Sequence, residues 1–133
     1  MIRQHFHIED KWEVIVYYDV DYTLFDKICL ELLNIGTSEK TIYKLHKELS
    51  INRAKGVTVS NGIKHISIVL FNQHDTIEDY LNTVVHEAEH IKQAMLEAYN
   101  VKDNGEPPAY TIGYIVMKMY RIFRKFLAAE MAA

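Results

Sequence analysis

The residues best suited to do chemistry lie in one stretch, Val84-Val85-His86-Glu87-Ala88-Glu89-His90-Ile91, which contains the pattern His-Glu-x-x-His. Four residues advance a helix by about 400°, so His86 and His90 would stand one turn apart on the same face and present two imidazole nitrogens to one tetrahedral zinc ion. Glu87 flanks that face. In this pattern the glutamate takes a proton from a metal-bound water and passes it to the leaving group; zinc lowers the pKa of that water towards neutrality, so a carboxylate suffices as base. The same five residues also satisfy His-x-x-Glu-His, the inverted pattern, in which Glu89 would be the base. The apolar Val84-Val85 lead-in favours Glu87.

Short patterns arise by chance, and two histidines on a helix can simply be solvated, so the surrounding elements decide the weight of this one. Asp75 or Thr76 is placed to cap a long helix, with Glu78 or Asp79 three residues on. Ile77, Leu81, Val84, Val85, Ala88, Ile91 and Met95 are expected to form its buried stripe, and it ends near Asn100. Before it come Val57 to Ser60 and Ile63 to Phe71, strand-like runs separated by Asn61-Gly62, the dipeptide suited to a two-residue type I′ hairpin turn. In the second run Ile66, Ile68 and Leu70 make one apolar face and Ser67, Val69 and Phe71 a mixed one, which predicts a sheet covered by helices on one side.

Further upstream, Trp12 to Val20 is a β-branched and aromatic run that reads as a strand. Asp21 then caps a helix carrying Leu24, Ile28 and Leu32, stopped by Gly36. A second helix begins at Thr37 or Ser38 and carries Ile42, Leu45 and Leu49. Downstream, the turn Lys102 to Pro108 leads into a final helix whose core face includes Ile112, Ile115, Val116, Met119, Ile122 and Phe126. The expected order is β-α-α-β-β-α-α: one small α+β domain over residues 1–133, with a short, mostly antiparallel sheet packed on helices.

Composition bounds the rest. With 133 residues, 49% hydrophobic and 25% charged, the chain has the make-up of an ordinary globular protein. A formal net charge of -3 lacks the basic surplus that nucleic-acid binding needs. The single cysteine, Cys29, reads as a small core residue of a helix rather than a reactive thiol. Met1 to His7 has no apolar signal run, and no stretch reaches membrane-span length, so a cytoplasmic location with no membrane partner is expected.

On the motif and its setting, the stretch from Val57 to Tyr120 resembles the zincin metallopeptidases, whose metal helix follows a sheet with an edge strand that receives the peptide substrate. Charged Glu89 and Lys92 depart from the usual zincin helix, and the downstream Gly and third His of the metzincin branch would fall at Gln93 and Leu96. The gluzincin branch instead implies a third metal ligand from a glutamate on the following helix, and Glu106 is the match; Asp103 and Glu97 are the alternatives. Tyr110, one turn after Glu106, would then be placed to hydrogen-bond an oxyanion, although a packed tyrosine explains it equally. His65, His74 and Asn82 are nearby polar candidates. The stretch from Glu106 to Gly113 also resembles small phage-type and Bacteroidetes proteins with this helix.

The resemblance implies a zinc-dependent peptidase acting on a peptide or protein, with His86, His90 and Glu106 as ligands, Glu87 as base and substrate along the sheet near Ser67 to Phe71. The competing expectation is an inactive zincin-like regulatory module of a phage or mobile element, favoured by the small size. A hydrolase acting on a non-peptide amide is the third.

Overall fold

The apolar residues at the N-terminus come at intervals of two, Phe6 and Ile8 after Ile2, with Gln4 interrupting the alternation. They form a strand that the sequence reading lacks. The computed structural model describes the backbone of residues 1–132 and the side chains of residues 1–125. Strand β1 is Ile2–Ile8, followed by β2 (Trp12–Tyr18), a 3-10 turn (Tyr22–Leu24), α1 (Phe25–Asn34) and α2 (Glu39–Ser50). Then come β3 (Gly56–Asn61), β4 (Ile66–Phe71), α3 (Ile77–Ala98) and α4 (Glu106–Ala132). The class is α+β, and an extra strand precedes the seven expected elements.

The four strands form one sheet in the order β1-β2-β4-β3. The outer pairings, β1 with β2 and β3 with β4, are antiparallel, whereas β2 and β4 run parallel at the centre. A parallel pair needs a long crossover, which α1 and α2 provide. Two expectations change here. All six residues of β4 are buried, because α1 and α2 cover one face of the sheet and α3 and α4 the other. Ile15, Tyr17, Ile66, Ile68 and Leu70 pack with Ile28, Leu32, Leu45 and Leu49; Trp12, Val14, Val16, Val69 and Phe71 pack with Val84, Ile91, Ile115 and Met119.

The second change is the hairpin turn. Asn61 pairs with Ile66, so four residues intervene, and Gly62 does not have the positive φ that a type I′ turn requires. The Asn61 side chain accepts hydrogen bonds from the Ile63 and Lys64 backbone at 2.9 Å each, and His65 closes the loop with φ 55°. Ile63 is therefore an exposed loop residue.

Helix ends follow side-chain chemistry. Ser38 caps α2, and Thr76 caps α3 by accepting from the Asp79 N–H at 3.1 Å. Asp21 caps the 3-10 turn. Gly36 (φ 92°) ends α1, and Asn100 (φ 54°) follows α3 in the same left-handed conformation. On α4, Ile115, Met119 and Phe123 are buried. Phe126 lies outside the described side chains. Among the described residues no helix is long and apolar enough to cross a membrane.

Ile68 is fully buried on the face that the sequence pattern marks as apolar, under α1 and α2. Ile68→Ala is expected to cost about 2–5 kcal/mol in urea unfolding, and a loss under about 1 kcal/mol would contradict burial under α1 and α2.

Candidate metal centre

The motif is positioned by the way α3 lies on the sheet. Val84, Ala88, Ile91 and Met95 point into the core, which turns His86 and His90 outwards to solvent. Between these two directions, Thr83 and Glu87 meet β3 at Gly56. A Cβ on Gly56 would come within 2.8 Å of Thr83 Cγ2, 3.1 Å of Phe71 Cδ1 and 3.2 Å of Glu87 Cγ. Only a residue without a side chain lets the strand approach this closely. Two positions on, Thr58 lies on the same face of β3 and donates to Glu87 Oε1 at 2.9 Å.

His86 Nε2 and His90 Nε2 are 3.2 Å apart. Two nitrogen ligands of one tetrahedral zinc, each at 2.0–2.1 Å, lie about 3.3 Å from each other, so the pair is spaced as a shared ion requires. The second carboxylate oxygen of Glu87 is 4.0 Å from His86 Nε2. Solvated histidines would account for His86 and His90 but not for Glu87, which is 3% exposed. A buried carboxylate is costly unless compensated, and here it faces one hydroxyl and the imidazole edge. A divalent cation at the two histidines would supply the missing charge. The donor set thus fits zinc.

Glu106 does not join this group. The donor atoms of His86, Glu87 and His90 all lie within 4.8 Å of one another, and no atom of Glu106 is among them. Lys92 lies about 200° around the helix from His90 and is 6% exposed. Its ammonium donates to Glu89 Oε1 at 2.7 Å and to Asp103 Oδ1 at 2.8 Å, which ties the connection to α4 to the far side of α3. Burial pulls the Lys92 ammonium down, but the hydrogen bonds to Asp103 and Glu89 outweigh this and hold it above its usual value. Asp103, an alternative ligand, and Glu89, the alternative base, are both engaged by this lysine. Glu97 is exposed and lines a shallow depression with Asn61 and Gly62.

The remaining candidates have other surroundings. Tyr110 is exposed and lines a groove of about 870 Å³ between the β1–β2 turn and α4, with Tyr99 and Tyr114. His86 and His90 are not part of that groove, and an oxyanion role for Tyr110 at the motif has no geometric support. His65 is held between Trp12 and Tyr99 and hydrogen-bonds the Tyr99 hydroxyl. His74 contacts the Asn72 carbonyl at 2.7 Å and Thr83 Oγ1 at 2.8 Å and stacks on Tyr80, bracing the start of α3. Asn82 is exposed. Ser67 to Phe71, expected as the substrate edge, is β4, paired on both sides; the free edge beside the motif is β3. Sequence reading missed Gly56 and Thr58, for which a glycine opening a strand was the one available signal.

No family model matches the chain, nor does any curated protein or solved structure.

Two outcomes follow from this geometry. Gly56→Ala is expected to destabilise the fold by about 1–3 kcal/mol in chemical denaturation, since rigid neighbours surround the added methyl; an unchanged midpoint would mean that the strand does not seat against α3. Burial holds the His74 imidazole below its usual value of 6.5. Its folded form therefore prefers to be neutral, so its stability contribution is complete above pH 6.5 and declines as the pH falls below it. Comparing unfolding at pH 7 and pH 5, wild type is expected to lose more stability than His74→Gln.

Proposed function

We propose that the protein is a zinc-dependent hydrolase, a small metallopeptidase, in which His86 and His90 hold the ion and Glu87 is the general base. One observation carries the reading: two imidazole nitrogens 3.2 Å apart lie beside a buried carboxylate whose other oxygen is fixed by Thr58. Zinc, when bound, would polarise a carbonyl and lower the pKa of water. Glu87 then accepts the proton and returns it to the leaving amine, and the Thr58 hydroxyl keeps the carboxylate turned towards the histidines.

The substrate, on this reading, is an extended peptide. Strand β3 ends the sheet, and its outer backbone groups can take one more strand. Gly56, Thr58 and Ser60 share the face towards α3, so a peptide added there would run past the histidines. Exposure of both imidazoles leaves the site open to a chain of any length.

The absence of Glu106 from the donor group favours a second reading. Glu87 would itself be the third ligand, and the protein would be a metal-binding interaction module without hydrolytic chemistry. Glu87→Gln separates the two. For a hydrolase, the variant keeps stoichiometric zinc while peptide-library cleavage drops at least about 100-fold, the scale of general-base catalysis. For a module, zinc affinity falls with the substitution and wild type cleaves nothing. Zinc binding unaffected by His86→Gln with His90→Gln would overturn both readings.

A further inference from the structure

We infer that the β1–β2 hairpin carries a second site for a divalent transition-metal ion, formed by His5, His7 and Glu13. Successive odd positions of β1 point to the same face, and Phe6 and Ile8 are buried in the core under α3 and α4. His5 and His7 consequently project from the opposite face. Across the ladder His7 pairs with Glu13 and His5 with Ile15, which sets Glu13 on that same face, opposite His7 and diagonal to His5. His5 Nε2 is 2.6 Å from Glu13 Oε1, the two imidazole rings are 5.1 Å apart centre to centre, and the donor atoms of all three residues lie within 4.8 Å of one another.

Three features make this a site rather than a chance surface cluster. The donors come from two strands whose register is fixed over seven residue pairs, so the backbone needs no reordering, and an ion would replace the direct 2.6 Å contact between His5 and Glu13. The covering helix α1 reaches Arg3 and Tyr17, through Glu31, but leaves the end of the hairpin uncovered: the His5 and Glu13 side chains are 38% and 36% exposed. The donor set itself is two imidazoles and one carboxylate, which selects zinc, nickel, cobalt or copper over magnesium or calcium. An ion held there would clamp the edge strand β1 to β2. It shares no residue with the α3 centre.

The test is read in a His86→Gln, His90→Gln background, so that it does not depend on the α3 centre. After equilibrium dialysis against zinc, that protein is expected to retain one ion by elemental analysis and to lose it when His5→Gln and His7→Gln are added. Equal zinc content with and without the hairpin substitutions would overturn the site. Nitrogen-15 NMR of the wild-type imidazoles provides a check that needs no substitution. Zinc addition is expected to shift the His5 and His7 ring nitrogens, and resonances that stay in place at saturating zinc would refute the assignment.

Discussion

The contact between α3 and β3 at Gly56 sets where the rest of the α3 centre can be. Because no side chain separates strand and helix there, Glu87 is pressed against the sheet and its carboxylate is taken out of water. A carboxylate in that position needs a hydrogen-bond donor and a positive charge close by. Thr58 provides the first. The paired histidines one helical step away provide the place for the second, and this is the physical basis for treating an exposed pair of imidazoles as more than surface decoration.

That contact also selects the edge of the sheet. With β4 enclosed between β2 and β3, and both of its faces covered by helices, the strand beside the motif with backbone groups to offer, among the described residues, is β3. The parallel pairing of β2 with β4 is what brings this about. It forces α1 and α2 to cross over one face, leaves the other to α3 and α4, and places the hairpin partner β3 outermost. The crossover thus creates the free edge on which an extended substrate could lie.

Lys92 has the opposite effect on the donor set. As a buried ammonium it needs carboxylates, and it finds them in Glu89 and Asp103. Its contact with Asp103 lies on the side of α3 away from His86 and His90, and the connection that carries Glu106 follows from there. The third-ligand assignment that the gluzincin resemblance implied is thereby not supported by the geometry, and the chemistry of the site turns on whether Glu87 acts as base or ligand.

The sequence by itself determined the elements whose signals are local. A cap at Asp75 or Thr76, the Gly36 stop and the one-turn spacing of His86 and His90 each depend on a few neighbouring residues and are present in the fold, whereas the expected stripe of α3 is buried at Val84, Ala88, Ile91 and Met95 but exposed at Leu81 and Val85. Strand β1 was also locally encoded, but only three apolar residues in alternation carried its signal, and Gln4 broke the pattern to reach the Tyr18 hydroxyl and the Lys118 carbonyl. Tertiary structure alone decided which strands are neighbours, that both sheet faces are buried, and that Thr58 meets Glu87 across 29 positions of sequence. It also decided the exclusion of Glu106, since a loop length allows a helix to return but does not say on which side. The side is set where Ile115, Met119 and Phe123 of α4 pack with Val84, Ala88 and Ile91 of α3, a long-range burial that no spacing rule contains.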